Sequence, residues 1–253
     1  MRLIFFGTAA AVQTARDGNV CFALASEGSS LLVDASGSPA QNLSRAGIDP
    51  LALEALALTH AHTDHLYALP SLLHCLRLAG RKRPLKILCS PATAARAWAL
   101  CAALELLQKP GIFPISWITA EEAETRLEDG MAVRLFPVAH SIPTSGVKVA
   151  RDSSVLVYSA DTAPCPRLTE ETRGAAVLVH EATGPVSMEE ALNRDGHSSG
   201  RQAGLLAREA GVQALYLCHF DYQRHSPSEA ELEAAAAFKG AVIIPELFSA
   251  YEI

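Results

Sequence analysis

Apolar residues in this chain come mostly in short runs broken by Gly, Pro, Asn and Asp. Runs of that length bounded by turn residues predict buried strands. They fall at 2–6, 20–24, 30–34, 53–58, 85–89 and 115–118, then at 131–136, 146–150, 155–158, 176–179, 214–217 and 241–244. Between them the period lengthens to that of a helix. Leu69, Leu72, Leu73 and Leu76 share one face of a helix predicted over 66–78, which Gly80 ends. Further helices are predicted at 40–46, at 93–107 between Pro91 and Pro110-Gly111, at 201–210 and at 228–238. Two mixed sheets with helices on their outer faces satisfy this order. The polar stretch 121–129 reads as a solvated loop or helix face.

Of the 253 residues, 49% are hydrophobic, enough for one sizeable core, so 1–253 is expected to form a single domain. Net charge is 21 − 27 = −6, which argues against broad, sequence-independent nucleic-acid binding. It leaves room for an anionic substrate held at a cationic centre. The six cysteines form no CxxC pair, and buried free thiols in a reducing cytoplasm are expected. The opening apolar stretch is too short for a secretory signal, and no run reaches the roughly 18 apolar residues of a membrane span. A cytoplasmic location without membrane contact is therefore expected.

The strand at 53–58 runs into Thr59-His60-Ala61-His62-Thr63-Asp64-His65, which crowds four metal-ligating side chains together. His60 and His62 can converge on one ion, while Asp64 and His65 point the other way and can serve a second. Imidazole and carboxylate together suit zinc, with manganese or iron as alternatives. Two ions need more donors than one loop supplies. Three later residues repeat the placement just beyond an apolar strand: His140 after 131–136, Asp161 after 155–158 and His219 after 214–217. Strand ends of this kind are where α/β folds gather their chemistry.

HxHxDH followed by a distant His, Asp and His resembles the metallo-β-lactamase superfamily over nearly the whole chain. The resemblance implies an α/β (α+β) fold, a four-layer αββα sandwich with metals at one edge of the sheets. It implies His60, His62 and His140 on one metal, Asp64, His65 and His219 on the other, and Asp161 bridging. Four more stretches resemble the ribonuclease Z branch, the endoribonucleases that process transfer-RNA 3′ ends. They are Phe6-Gly7-Thr8-Ala9 with Asn19, His180-Glu181-Ala182-Thr183, Gly196-His197-Ser198-Ser199 with Gln202-Ala203, and Leu217-Cys218-His219-Phe220 with Arg224.

That branch implies a metal-dependent hydrolase, a phosphodiesterase whose substrate is a small ester, a nucleotide or RNA. Asp64 would ligate and accept the proton of the attacking water, His197 would act as general acid, and Glu181 would hold the imidazole of His197 oriented and charged. A homodimer is one assembly the resemblance implies. The same metal chemistry on a lactone, thioester or sulfate ester is the alternative reading, and a non-catalytic binding module would be expected to have lost ligands. The chain departs from the branch in two places. Only 20 residues separate His140 from Asp161, where the bacterial type inserts the arm that grips transfer RNA, and the loop before Asn19 lacks the branch's lysine. Transfer RNA as a substrate is therefore left open. Arg77, Arg81, Lys82, Arg83 and Lys86 read as a solvated turn or, failing that, as phosphate contacts.

Overall fold

A computed structural model describes residues 1–26, 28–119 and 123–253. Six strands come from the first half: β1 (Arg2–Gly7), β2 (Cys21–Ser26), β3 (Ser29–Val33), β4 (Ala55–Ala57), β5 (Leu85–Leu88) and β6 (Ile115–Ile118). Seven follow: β7 (Thr125–Arg126), β8 (Ala132–Val138), β9 (Thr144–Arg151), β10 (Ser154–Tyr158), β11 (Val177–Glu181), β12 (Ala214–Cys218) and β13 (Ala241–Ile243). The last strand, β14 (Ala250–Glu252), crosses back to pair with β1. Two seven-stranded sheets result, ordered β14-β1-β2-β3-β4-β5-β6 and β13-β12-β11-β10-β9-β8-β7. Each begins antiparallel and becomes parallel, from β3 in the first and from β10 in the second.

Strand period explains the layering. In β1, Leu3 and Phe5 pack between the sheets with Val133, Val147 and Tyr158, while Ile4 and Phe6 face the opposite way. That outer face is covered by Leu69, Leu72, Leu73 and Leu76. On the second sheet, Val157, Leu178 and Leu215 are covered by Ala203, Leu206 and Ala207 and by Ala230 and Ala234. The four layers are helix, sheet, sheet, helix, as expected.

The helices of the first half are α1 (Pro39–Arg45), α2 (Thr63–Leu66), α3 (Leu69–Leu78) and α4 (Pro91–Ala103). The helix predicted over 66–78 is thus two pieces, because Pro70 near the start of α3 cannot continue a preceding turn. The second half carries α5 (Pro166–Thr172), α6 (Glu189–Asp195), α7 (Gly200–Ala210) and α8 (Pro227–Ala237). Both α7 and α8 open on a capping box, Ser199 with Gln202 and Ser226 with Glu229. A Cβ on Gly200 or Gly204 would fall 2.4 or 2.5 Å from a carbonyl oxygen of α8, so glycine sets the close approach of these helices. The short α5, α6, β7 and β14 carry too few periodic positions to be predicted. Of the polar stretch 121–129, Glu121 and Glu122 lie outside the described residues, and Thr125–Arg126 forms β7 rather than a solvated loop or helix face.

The six thiols are free, but Cys75 is exposed and Cys165 half-buried, so not all are core residues. No helix among the described residues is long and apolar enough to cross a membrane.

Candidate metal centre

Parallel strands bring their carboxyl ends to one edge of the sandwich. Asp34 follows β3, and the 59–65 loop follows β4 by one residue. From the other sheet, His140 follows β8, Asp161 follows β10, Glu181 ends β11 and His219 follows β12. All seven candidate ligands meet there. Nδ1 of His62 lies 3.1 Å from Nε2 of His60 and 3.1 Å from Nε2 of His140. Asp161 Oδ2 is 3.7 Å from His60 Nε2, 3.4 Å from His65 Nε2 and 3.1 Å from His219 Nε2. Asp64 Oδ2 is 3.5 Å from His65 Nε2 and 3.7 Å from His219 Nε2. Two donors on one tetrahedral zinc lie about 3.3 Å apart, so these spacings are those of donors sharing a cation.

Burial and satisfaction give the same answer. His65 Nε2, His219 Nε2 and Asp161 Oδ1 are buried without a hydrogen-bond partner. An orphaned buried polar atom is costly, and three aimed into one space fit a cation between them. Burial pushes the imidazoles of His60, His62 and His140 down, so each keeps a free lone pair at neutral pH. Burial raises the carboxyls of Asp64 and Asp161, but the surrounding histidines outweigh it and hold both below the ordinary range. The His65 imidazole goes the other way: burial lowers it, but Asp161 and Asp34 outweigh that and raise it well above the ordinary range, so a cation there would have to displace its proton.

The other ring nitrogens are held from behind. Asp34 accepts from His65 Nδ1 at 2.7 Å, from the Thr59 amide at 2.8 Å and from the Thr59 hydroxyl at 3.0 Å. That hydroxyl lies 2.9 Å from His60 Nδ1. His140 Nδ1 reaches the Gly196 carbonyl at 2.7 Å. The local sequence marks neither Asp34 nor Gly196 as part of the centre. The only signal is that Asp34, like the ligands, is polar directly after an apolar strand. Three residues at these strand ends, Asp34, Ala160 and His219, hold φ of 60°, 53° and 58°, a region non-glycine residues rarely enter.

Beside the donors, Glu181 is fully buried and accepts from the amides of Thr162 and Ser198, the hydroxyl of Thr183 and Nδ1 of His197 at 3.2 Å. Burial alone would lower the His197 imidazole, but the Glu181 carboxylate raises it to about 9. His197 also lies close to Asp161 and His219. His62, Asp64, Asp161, His197 and His219 line a cleft of about 510 Å³, whose lining also includes Val12, Leu192, Asp195, Asp221 and Arg224.

The lesser histidines lie elsewhere. His180 is buried and donates to the Glu181 carbonyl, and His225 packs against Glu229 and Glu233. The basic turn is structural. Arg81 is buried and donates to the carbonyls of Leu51, Leu53, Arg83 and Pro84, while Arg83 and Lys86 pair with Glu54.

Residues 30–220 match the family described as Beta-lactamase superfamily domain. The chain belongs to the beta-lactamase superfamily. Within it the chain stands with the ribonuclease Z proteins. It is 30% identical over 256 residues to a ribonuclease Z of Mycobacterium sp. (strain KMS), covering 94% of this chain and 90% of the relative. It is 26% identical over 294 aligned positions to ribonuclease Z of Methanothermobacter thermautotrophicus, covering 93% and 91%. That alignment is longer than the chain itself, so the relative carries residues this one lacks. Among solved structures, the metallo-beta-lactamase fold protein YhfI from Bacillus subtilis superposes with a TM-score of 0.84 at 19% identity, over 99% of this chain and 98% of that one. Human tRNase Z, short form, gives 0.78 at 22% identity over 100% and 99%. These superfamily members share the four-layer sandwich described above.

Proposed function

We propose that this metal-dependent hydrolase is a phosphodiesterase of the ribonuclease Z kind, acting as one domain over 1–253. His60, His62 and His140 would hold one divalent ion, Asp64, His65 and His219 a second, and Asp161 both. Zinc is the proposed identity, with manganese or iron as alternatives. The ions would lower the pKa of a water and neutralise charge on the phosphoryl oxygens. The protein side chains do the rest. Asp64 lies at the cleft and accepts the proton of the attacking water. His197, its Nδ1 committed to Glu181, turns Nε2 to the leaving oxygen and donates a proton there. Glu181, fixed by two amides and a hydroxyl, keeps that imidazole oriented and charged. Arg224, in the cleft lining and paired with Asp221 at 3.2 Å, could turn its guanidinium to a phosphate.

The observation that carries this reading is His197, held from behind by the buried Glu181, in the same cleft lining as His62, Asp64, Asp161 and His219. Metal ligands alone would serve many esters; a carboxylate-held acid beside them suits a leaving group that departs as an alkoxide. The substrate is RNA or a smaller diester. The 20 residues between His140 and Asp161 are taken up by the whole of β9 and β10 and their short connections, which leaves no arm there to grip folded RNA. The free thiols fit action in a reducing cytoplasm.

The test is hydrolysis of bis(p-nitrophenyl) phosphate by metal-loaded protein, beside cleavage of a precursor transfer RNA. Metal-dependent turnover of this diester, abolished by His62→Ala, is expected, and cleavage of a dinucleoside phosphate, whose leaving oxygen departs as an alkoxide, is expected to fall about 10²–10⁴-fold in His197→Ala with metal content unchanged. Dinucleoside cleavage indifferent to His197→Ala removes the proton-donor role, and turnover of a lactone or thioester with none of a diester replaces the phosphodiesterase reading.

A further inference from the structure

Two threonines occupy matching positions in the two halves of the centre. Each half has one buried carboxylate that serves two imidazoles, one directly and one through a hydroxyl. In the first half Asp34 bonds His65 directly at 2.7 Å, and Thr59 links the same carboxylate to His60. In the second half Glu181 bonds His197 directly at 3.2 Å, and Thr183 links it to His219. The Thr183 hydroxyl lies 2.5 Å from Glu181 Oε2 and 2.8 Å from His219 Nδ1.

A hydroxyl has one proton and an ionised carboxylate can only accept. The proton of each threonine is therefore directed at its carboxylate, and its oxygen is left to accept from the imidazole. That forces the histidine to carry its hydrogen on Nδ1 and its lone pair on Nε2. Nε2 of His219 is the buried, unpartnered atom 3.1 Å from Asp161, and Nε2 of His60 lies 3.1 Å from His62 Nδ1. The backbone of Thr183 adds a tether: its amide donates to the Ser198 carbonyl at 3.0 Å, beside His197. Both threonines are buried, so water does not replace the hydroxyl freely.

We propose that Thr59 and Thr183 are positioning residues, one for each ion, that select the ring tautomer in which His60 and His219 present Nε2 to the metals. The inference rests on the two-ion reading above. It adds that Glu181 serves the metal ligand His219 and the proton donor His197 at once, with Thr183 as the link.

The test measures bound zinc per chain, and the affinity for each ion by chelator competition, in the wild type, Thr59→Val, Thr183→Val and the corresponding serine variants. Wild type with two ions is the condition for the reading itself; wild type without them overturns both claims. With two ions in the wild type, each valine variant is expected to lose about 10–100-fold in affinity for one ion, and each serine variant to retain both. Valine variants that bind both ions as the wild type does overturn the inference alone. So do serine variants that fail like valine, since packing and not the hydroxyl would then be decisive. A measurement independent of any variant is the ¹⁵N–¹H long-range spectrum of zinc-loaded, histidine-labelled wild type. His60 and His219 are expected as Nδ1–H tautomers, and Nε2–H at either overturns the claim even if a valine variant does not fold.

Discussion

His140 Nδ1 donates to the carbonyl of Gly196 at 2.7 Å, so an imidazole from the end of β8 is aimed by the residue that terminates α6. Gly196 holds φ of +85°, and a Cβ there would lie 2.7 Å from that same Nδ1 and 2.8 Å from the His140 Cα. Gly196→Ala is expected to push His140 off its position and to lower affinity for the ion shared with His60 and His62 about 10–100-fold. Zinc content after chelator challenge checks this, and wild-type retention would contradict it.

Asp34 is buried and holds two candidate ligand rings, His65 directly and His60 through Thr59. Asp34→Asn keeps the shape but swaps a carboxylate that only accepts for an amide that also donates. Weakened binding of both ions is expected, about 10–100-fold, with diester turnover falling in parallel and recovering in excess zinc. Turnover that does not recover would place Asp34 in the chemistry rather than behind it.

Arg81 is a structural cation. Removing its guanidinium leaves the carbonyls of Leu51, Leu53, Arg83 and Pro84 without their donor and strips the cation from the ring of Phe113, 5.1 Å away. Arg81→Ala is expected to cost about 2–4 kcal/mol of stability, read by chemical denaturation, with kcat/KM on a small diester unchanged in the protein that remains folded.

Glu171 anchors the end of α5 to β8 and β9. Its carboxylate meets Arg134, Arg167 at 2.8 Å and Lys148 at 3.5 Å. Burial raises this carboxyl, but the hydrogen bond and charge of Arg134, with Lys148 and Arg167, outweigh it and the folded value lies below the ordinary one. A depressed carboxyl stabilises the fold above its unfolded pKa of about 4.3, and that contribution is lost as pH falls through the folded value. Glu171→Gln is expected to cost about 1–2 kcal/mol at neutral pH, and the gap from wild type to close between about pH 5 and 3. Thermal unfolding across that range checks it; a gap constant with pH would mean the glutamate acts by packing.

The metal donors were legible because each is a ligand-type residue set directly behind an apolar strand, a pattern that His140, Asp161 and His219 repeat. Asp34 has the same placement, but local sequence does not distinguish a residue that faces the ion from one that supports a neighbour. The distinction depends on β3 lying beside β4, which only the sheet order reveals. Thr183 and Glu181 are visible in one motif, whereas their partner His219 lies 36 residues from Thr183. Arg81 is hidden among Arg77, Lys82 and Arg83, since a basic run does not say which member turns inward. The four layers were legible from alternation; β14 was not, because its three residues gain their order from pairing with β1.

The left-handed backbone at Asp34, Ala160 and His219 has one more consequence. Each such residue costs about 1–2 kcal/mol, and it persists because the strands on either side leave the chain no other route. On the two-ion reading proposed above, the cage would be cast by the folded scaffold rather than drawn together by the ion. Swapping one divalent species for another would then exchange the guest without reshaping the host, and discrimination among them would fall to donor chemistry and cellular supply.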